Sequence, residues 1–347
     1  DLLNQAPLEK GFLYAAIGGK RLGNFDLVVD RQATEQNLVG RVGLLGTRKV
    51  FEVWSSFESR AVRLGREPRP EDPLIVEAVT IDATIRPDLS MEAVTRARMK
   101  PLSGRHAVFS MEINPAMAVT SAKVNGAPAE VYRQESLRAN LIRGDGNELF
   151  LIEPSTPLEP GSTYEVEIHH NGNVISQASK GVYFVGARGT WYPNRGVQFA
   201  DYEYSFRYPR EFNLVTSGTA VSQEENGDYR ITRRKSPAPM RLLGFNLGKY
   251  EQTTVKRGSL TVEVSANRAL EEALQPRDRM IVVPPPTVPW NRRTPNTGRI
   301  ISVSPAPGPN PVDGLTRVAA RVADAFDFFT QRFGPAPFQS LSVSPGA

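Results

Sequence analysis

The chain has 347 residues, enough for about two or three domains of ordinary size, and its 40% apolar and 23% charged residues exclude a disordered polymer. The net charge of +5 comes from Lys and Arg scattered among Asp and Glu, so the clustered stripe that a nucleic-acid partner needs is missing. There is no cysteine, which excludes disulfides, thiolate nucleophiles and Cys-based zinc sites.

Apolar runs such as Leu149 to Ile152 and Met280 to Val283 fall far short of the ~18 residues of a spanning helix, and no membrane-spanning segment is expected. The chain opens at Asp1 without Met and without a signal-like charged and apolar start, which fits a removed signal or an internal start. With the β-rich pattern below, it points to a periplasmic or extracellular location.

Residues 1–72 read as a small β-rich domain. GFLYAAIGG, NFDLVVD, NLVGRVGLLG and KVFEVWSSF are short strand patterns separated by glycine turns, and the last has apolar side chains at both parities, as in a strand covered on both sides. Arg60 to Pro73, with Pro68, Pro70 and Pro73, reads as a linker.

Residues 73–266 are again β. Val79, Ile81, Ala83 and Ile85 alternate with Thr80, Asp82 and Thr84, and Tyr164, Val166 and Ile168 alternate with Glu165, Glu167 and His169, the period of a sheet with one solvated face. Turn dipeptides such as Asn125-Gly126, Asn171-Gly172 and Asn226-Gly227 separate the runs. The pattern is that of a large antiparallel β-sandwich or saddle.

Residues 267–312 are dense in proline and read as an extended linker, with proline-module binding as the competing reading. In residues 313–347, Leu315, Val318, Ala319, Val322, Phe326, Phe329 and Phe333 form one amphipathic helical stripe. Asp313 is placed to cap its start and Gly334-Pro335 to stop it, and a strand begins at Leu341. Helix followed by strand is how an α/β domain opens. The fold class is therefore mainly β, with sandwich or saddle domains, a proline-rich linker and one helix opening an α/β domain.

The motifs of catalysis are missing. H-E-x-x-H, which places two zinc-binding His one helical turn apart with a water-activating Glu, is absent, and the only histidines are His106, His169 and His170. The adjacent pair point to opposite faces of a strand and are not expected to chelate. G-x-S-x-G and the phosphate-binding glycine motifs are absent too. Hence no catalytic residue, no metal ligand and no cofactor are assigned to this chain. GARGTWYPNRG, residues 186–196, crowds aromatics and arginines into one loop. It supplies the candidates for a substrate cleft or a domain interface, Arg188, Trp191, Tyr192 and Arg195, with interface the favoured reading.

From this loop onward the sequence resembles the zinc aminopeptidase N family of gluzincin metallopeptidases. The matching residues are Ala187-Arg188 and Tyr192-Pro193, then YPREFNLVTSG from Tyr208 to Gly218, then SPAPMRLLGFNLGKY from Ser236 to Tyr250. DAFDFFTQRFGPAPFQSLSVS, Asp324 to Ser344, resembles the first helix and strand of the family's thermolysin-like catalytic domain. The resemblance, from about Leu74 to Ala347, implies a divergent, bacterial-type member. Its β-saddle domain would contribute to the peptide cleft, its partners being its own C-terminal catalytic domain and a peptide substrate. Zinc is implied only for the full-length protein, with H-E-x-x-H lying beyond Ala347 and the chain as given inactive.

Two positions depart from the pattern. Lys180, Gly181, Val182 and Tyr183 stand where the family has the Gln that helps hold a substrate's amino group, and Asn194 and Arg195 replace its Cys and Asp. These departures motivate the alternative of a binding or scaffold protein with peptidase architecture and no zinc chemistry. A sugar-binding sandwich is a third reading, weakened because Trp54, Trp191 and Trp290 lie in separate segments.

Overall fold

A computed structural model describes residues 12–344 apart from 22, 32, 34, 46, 47, 71, 134–147, 180, 186–189, 197, 259, 268–278, 284–298, 304–313 and 337. The contacts divide the chain into two compact units. One comprises Asp1–Ser176, Val185–Arg210 and Thr216–Phe245, the other Gln177–Phe184, Glu211–Val215 and Asn246–Ala347.

The first unit opens with β1 (Phe12–Gly19), β2 (Gly23–Asp30), β3 (Asn37–Leu45) and β4 (Arg48–Phe57), an antiparallel meander paired in sequence order. All four expected strands form. The two-sided cover expected for β4 does not: Val53, Trp54 and Phe57 are 47%, 37% and 42% exposed. Trp54 meets the Phe25 ring at 5.7 Å and the Arg41 guanidinium at 5.6 Å. The stretch read as a linker contains a one-turn helix, α1 (Arg60–Arg63), because Ser59 Oγ accepts from the Val62 amide and caps it.

The chain continues through β5 (Leu74–Ile85), β6 (Met91–Pro101), β7 (Phe109–Ile113), β8 (Met117–Val124), β9 (Ala127–Tyr132), β10 (Glu148–Pro154) and β11 (Tyr164–Gly172). Then come β12 (Ile175–Ser179), β13 (Val182–Val185), β14 (Asp201–Pro209), β15 (Asn213–Thr216), β16 (Thr219–Asn226) and β17 (Tyr229–Lys235). Ten of these strands form one sheet in the order β16-β17-β14-β5-β6-β11-β8-β9-β10-β7, with β14 and β5 parallel. Its alternation follows the sequence: Val79, Ile81, Ala83 and Ile85 are buried while Thr80 and Asp82 are exposed, and Val166 and Ile168 are buried while Glu165 is exposed. Asn125 and Gly126, with φ of 49° and 80°, make the turn between β8 and β9 that such a dipeptide favours.

The second unit holds most of a four-stranded sheet ordered β12-β13-β18-β15, where β18 is Phe245–Gly248, with Val182, Val215 and Tyr250 as a small buried cluster. It also holds β19 (Glu251–Arg257) and β20 (Leu260–Ala266), an antiparallel pair. The segment read as an extended linker contains β21 (Arg279–Val283) and β22 (Arg299–Val303), paired antiparallel. These are its two proline-free apolar runs, RMIVV and RIISV, where every residue has an amide to donate.

The expected helix forms as α2 (Leu315–Phe333) and ends at Gly334, whose φ of 90° suits only glycine. Asp313, expected as its cap, lies outside the described residues, and the capping position is Gly314, which makes no side-chain bond. A final strand, β23 (Ser340–Val343), pairs parallel with β20. Leu315, Ala319 and Ala323 pack on Leu260, Val262, Val264 and Ala266, with Val322, Phe326 and Val343 partly buried against them. The stripe is only partly covered: Val318, Phe329 and Phe333 stay 44%, 56% and 82% exposed. Nineteen helical residues rise about 28 Å, more than a seven-residue strand spans, so the helix outruns the sheet beneath it.

Candidate functional site: the loop at residues 190–196

The loop lies in the first unit. The Asn114 amide donates to the Thr190 carbonyl at 2.9 Å, and Glu112 and Asn194 exchange two backbone hydrogen bonds of 2.8 and 2.9 Å. Arg188 lies outside the described residues. Of the other three candidates, Trp191 and Tyr192 pack ring against ring, while Arg195 bonds a separate set of partners.

Trp191 and Tyr192 have no solvent exposure. The indole packs against the rings of Tyr192, Phe206 and Phe245 at centroid distances of 5.1, 5.5 and 5.7 Å. Its Nε1–H donates to the Leu243 carbonyl at 2.8 Å. The Tyr192 hydroxyl accepts from the Leu243 amide at 3.2 Å and donates to the Tyr202 hydroxyl at 3.1 Å. Burial pushes both phenols above their ordinary pKa, so they stay protonated and neutral.

Arg195 satisfies carbonyls. Its Nε donates to the Leu74 carbonyl at 3.2 Å, Nη1 to the Ser110 carbonyl at 2.9 Å, and Nη2 to Asp72 at 3.0 Å. Gln198 completes the clamp, donating to the other Asp72 oxygen at 2.8 Å and accepting from the Val76 amide at 2.7 Å. The start of β5 is thereby tied to the loop. Beside it lies a cavity of about 20 Å³ lined by residues including Met111, Asn194, Arg195, Gln198 and Tyr202. That is room for about one water, not for a peptide.

The histidines are all occupied elsewhere. His106 Nε2 meets the Ser103 carbonyl at 3.1 Å. His169 and His170 do point apart: His170 is buried with Nε2 at 2.9 Å from Thr95 Oγ1, while partly exposed His169 bonds Glu167 at 2.9 Å. Burial pulls the His170 pKa down to about 3, and its Nδ1 has no partner. Bonds from His169, Lys123 and Arg96 hold Glu167 down at about 2. Among the described residues no three His, Asp or Glu side chains gather where a metal ion could sit. Nor is any described helix long and apolar enough to cross a membrane.

The partners Asp72, Gln198, Tyr202 and Leu243 escaped the sequence reading. One signal was available: Tyr202, Tyr204, Phe206 and Tyr208 recur at period two in DYEYSFRYP, and all four are buried.

The architecture is mainly β, built of several largely antiparallel sheets. The structure is similar to an M1 zinc metallopeptidase from Deinococcus radiodurans, with TM-score 0.51 and 14% identity over 79% of this chain and 57% of that one. It is also similar to a point mutant of a two-domain M1 zinc metallopeptidase bound to L-arginine (TM-score 0.52, 15% identity, 79% and 57% coverage). A point mutant of the Deinococcus radiodurans enzyme bound to a Tyr-Ser-Ala substrate gives TM-score 0.50 at 14% identity, covering 78% and 56%. At such identities the likeness is one of fold, and the chain spans a little over half the length of those proteins. No protein-family description and no curated protein matches the sequence.

Proposed function

We propose that this chain is the non-catalytic N-terminal portion of a zinc metallopeptidase related to aminopeptidase N, and that it helps to shape the peptide cleft of the intact enzyme. The observation that carries this reading is the coverage: the M1 fold accounts for 78–79% of this chain but only 56–57% of the peptidase chains. The order of the sequence matches from Ala187 to Ser344 supports it independently.

On this reading the metal ligands lie in the part of the protein after Ala347. A zinc held there would supply an activated water and polarise the peptide carbonyl. Trp191, Tyr192 and Arg195 do not touch substrate; they are positioning residues that hold the loop and the start of β5 rigid, as a cleft wall requires. Residues 1–72 are an additional small β domain of that protein.

Reading the gene beyond the codon for Ala347 tests the proposal. An H-E-x-x-H with a later Glu, together with stoichiometric zinc and peptidase activity in the protein expressed to that length, is the expected result. A reading frame without the motif overturns it in favour of the binding or scaffold protein.

A further inference from the structure

The sequence contains three Asn-Gly pairs, at 125–126, 171–172 and 226–227. In such pairs the glycine amide, unhindered by a Cβ, is able to attack the asparagine side-chain carbonyl. The structure treats the three differently. Asn125 is pinned: its Oδ1 accepts from the Glu165 amide at 2.8 Å, and its own amide donates to the Glu165 carbonyl at 2.8 Å. Asn171 and Gly172 close an interior strand paired on both sides, with β6 and β8, and a Cβ on Gly172 would stand 1.9 Å from the Ala116 carbonyl oxygen. No backbone rearrangement fits there without opening the sheet.

Asn226-Gly227 is free of both restraints. All eight residues of β16, the edge strand, are exposed, and Asn226 is the last of them. The pairing of Asn226 with Tyr229 leaves Gly227 and Asp228 as a two-residue hairpin loop. Gly227 sits at φ 60° with nothing within 4 Å of where a Cβ would lie. In a two-residue hairpin the first loop residue's amide is not part of the ladder, so it faces water.

We propose that Asn226 is a site of spontaneous deamidation, a modification that adds a negative charge to the tip of the β16–β17 hairpin. The Gly227 nitrogen loses its proton and attacks Asn226 Cγ; the new C–N bond closes a succinimide as the side-chain nitrogen leaves as ammonia. Water then opens the ring at either carbonyl, giving aspartate or isoaspartate, with no change in oxidation state. The new carboxylate joins Glu224, Glu225 and Asp228. The isoaspartate form also lengthens the backbone by one atom and disturbs the Asn226–Tyr229 register.

The test is peptide mapping by mass spectrometry of the purified protein during incubation at mildly alkaline pH, folded and in denaturant. In the folded protein the Asn226 peptide is expected to become one mass unit heavier at least about tenfold faster than those of Asn125 and Asn171, which must wait for local opening. In denaturant the three rates converge. Deamidation of Asn125 or Asn171 as fast as Asn226 in the folded state overturns the proposal, as does the same ranking persisting in denaturant. An Asn226→Ser variant is expected to lose the early acidic species on isoelectric focusing; its persistence also counts against the site.

Discussion

Replacing Trp191 measures whether the loop is braced from the interior. Trp191→Ala removes a fully buried indole from contact with three rings and takes the Leu243 carbonyl's donor away. Truncating such a side chain costs about 3–5 kcal/mol, and aromatic pairs at these separations add about 0.5–1.5 kcal/mol each beyond area burial, so the upper end is expected. Trp191→Phe keeps most of the ring contact but still orphans the carbonyl, and about 1–3 kcal/mol is expected. Phe199→Ala, at a residue 67% exposed, is the control and should stay within about 0.5 kcal/mol. Urea unfolding followed by far-UV circular dichroism reads all three, with each loss confined to one transition if the two units unfold separately. A Trp191→Ala cost under about 1 kcal/mol would refute the reasoning, since a side chain facing a cleft could be lost that cheaply. Equal costs for Ala and Phe would refute the ring-packing part alone.

Two further outcomes follow from the same geometry. Arg195→Ala should cost about 2–3 kcal/mol in the same assay, because two carbonyl bonds are lost with the ion pair, whereas Asp72→Asn, which removes the charge and one of the two oxygens that accept from Arg195, Gln198 and the Leu74 amide, should cost about 1–2 kcal/mol; a larger loss for Asp72→Asn than for Arg195→Ala would mean that the carboxylate, not the carbonyl bonds, holds the loop. His170 gives a pH dependence whose sign is fixed by its pKa being lowered in the folded state: the unfolded chain takes up a proton as pH falls through 6.5, the folded one only near 3. Stability should therefore be fully present above pH 6.5 and drop steadily between 6.5 and 3, with His170→Gln flattening that slope; an unchanged slope in the variant would remove His170 as the cause.

How much of this was legible in the sequence depends on what each residue's partner is. Strands whose side chains alternate between water and core announce themselves, because the period of two is local, and β5 and β11 follow it residue by residue. The failures occur where cover must come from elsewhere. KVFEVWSSF looks two-sided, but nothing in a strand's own sequence says whether a second layer exists, and Val53 and Trp54 remain exposed. The helical stripe was legible as a stripe, yet its covered length is set by β19, β20 and β23 and ends before Phe329. The loop at 190–196 shows the same limit in reverse. Trp, Tyr and Arg in a glycine-rich stretch have the composition of a binding surface and of a buried corner alike. What separates the two is a set of acceptors more than fifty residues away: Leu243 for Trp191, Ser110 and Leu74 for Arg195. Since Trp191 has its one N–H engaged and Arg195 has all three guanidinium nitrogens engaged, recruiting either to a peptide would disturb bonds that hold the loop. On the proposed function, their contribution to the cleft would be stiffness rather than contact.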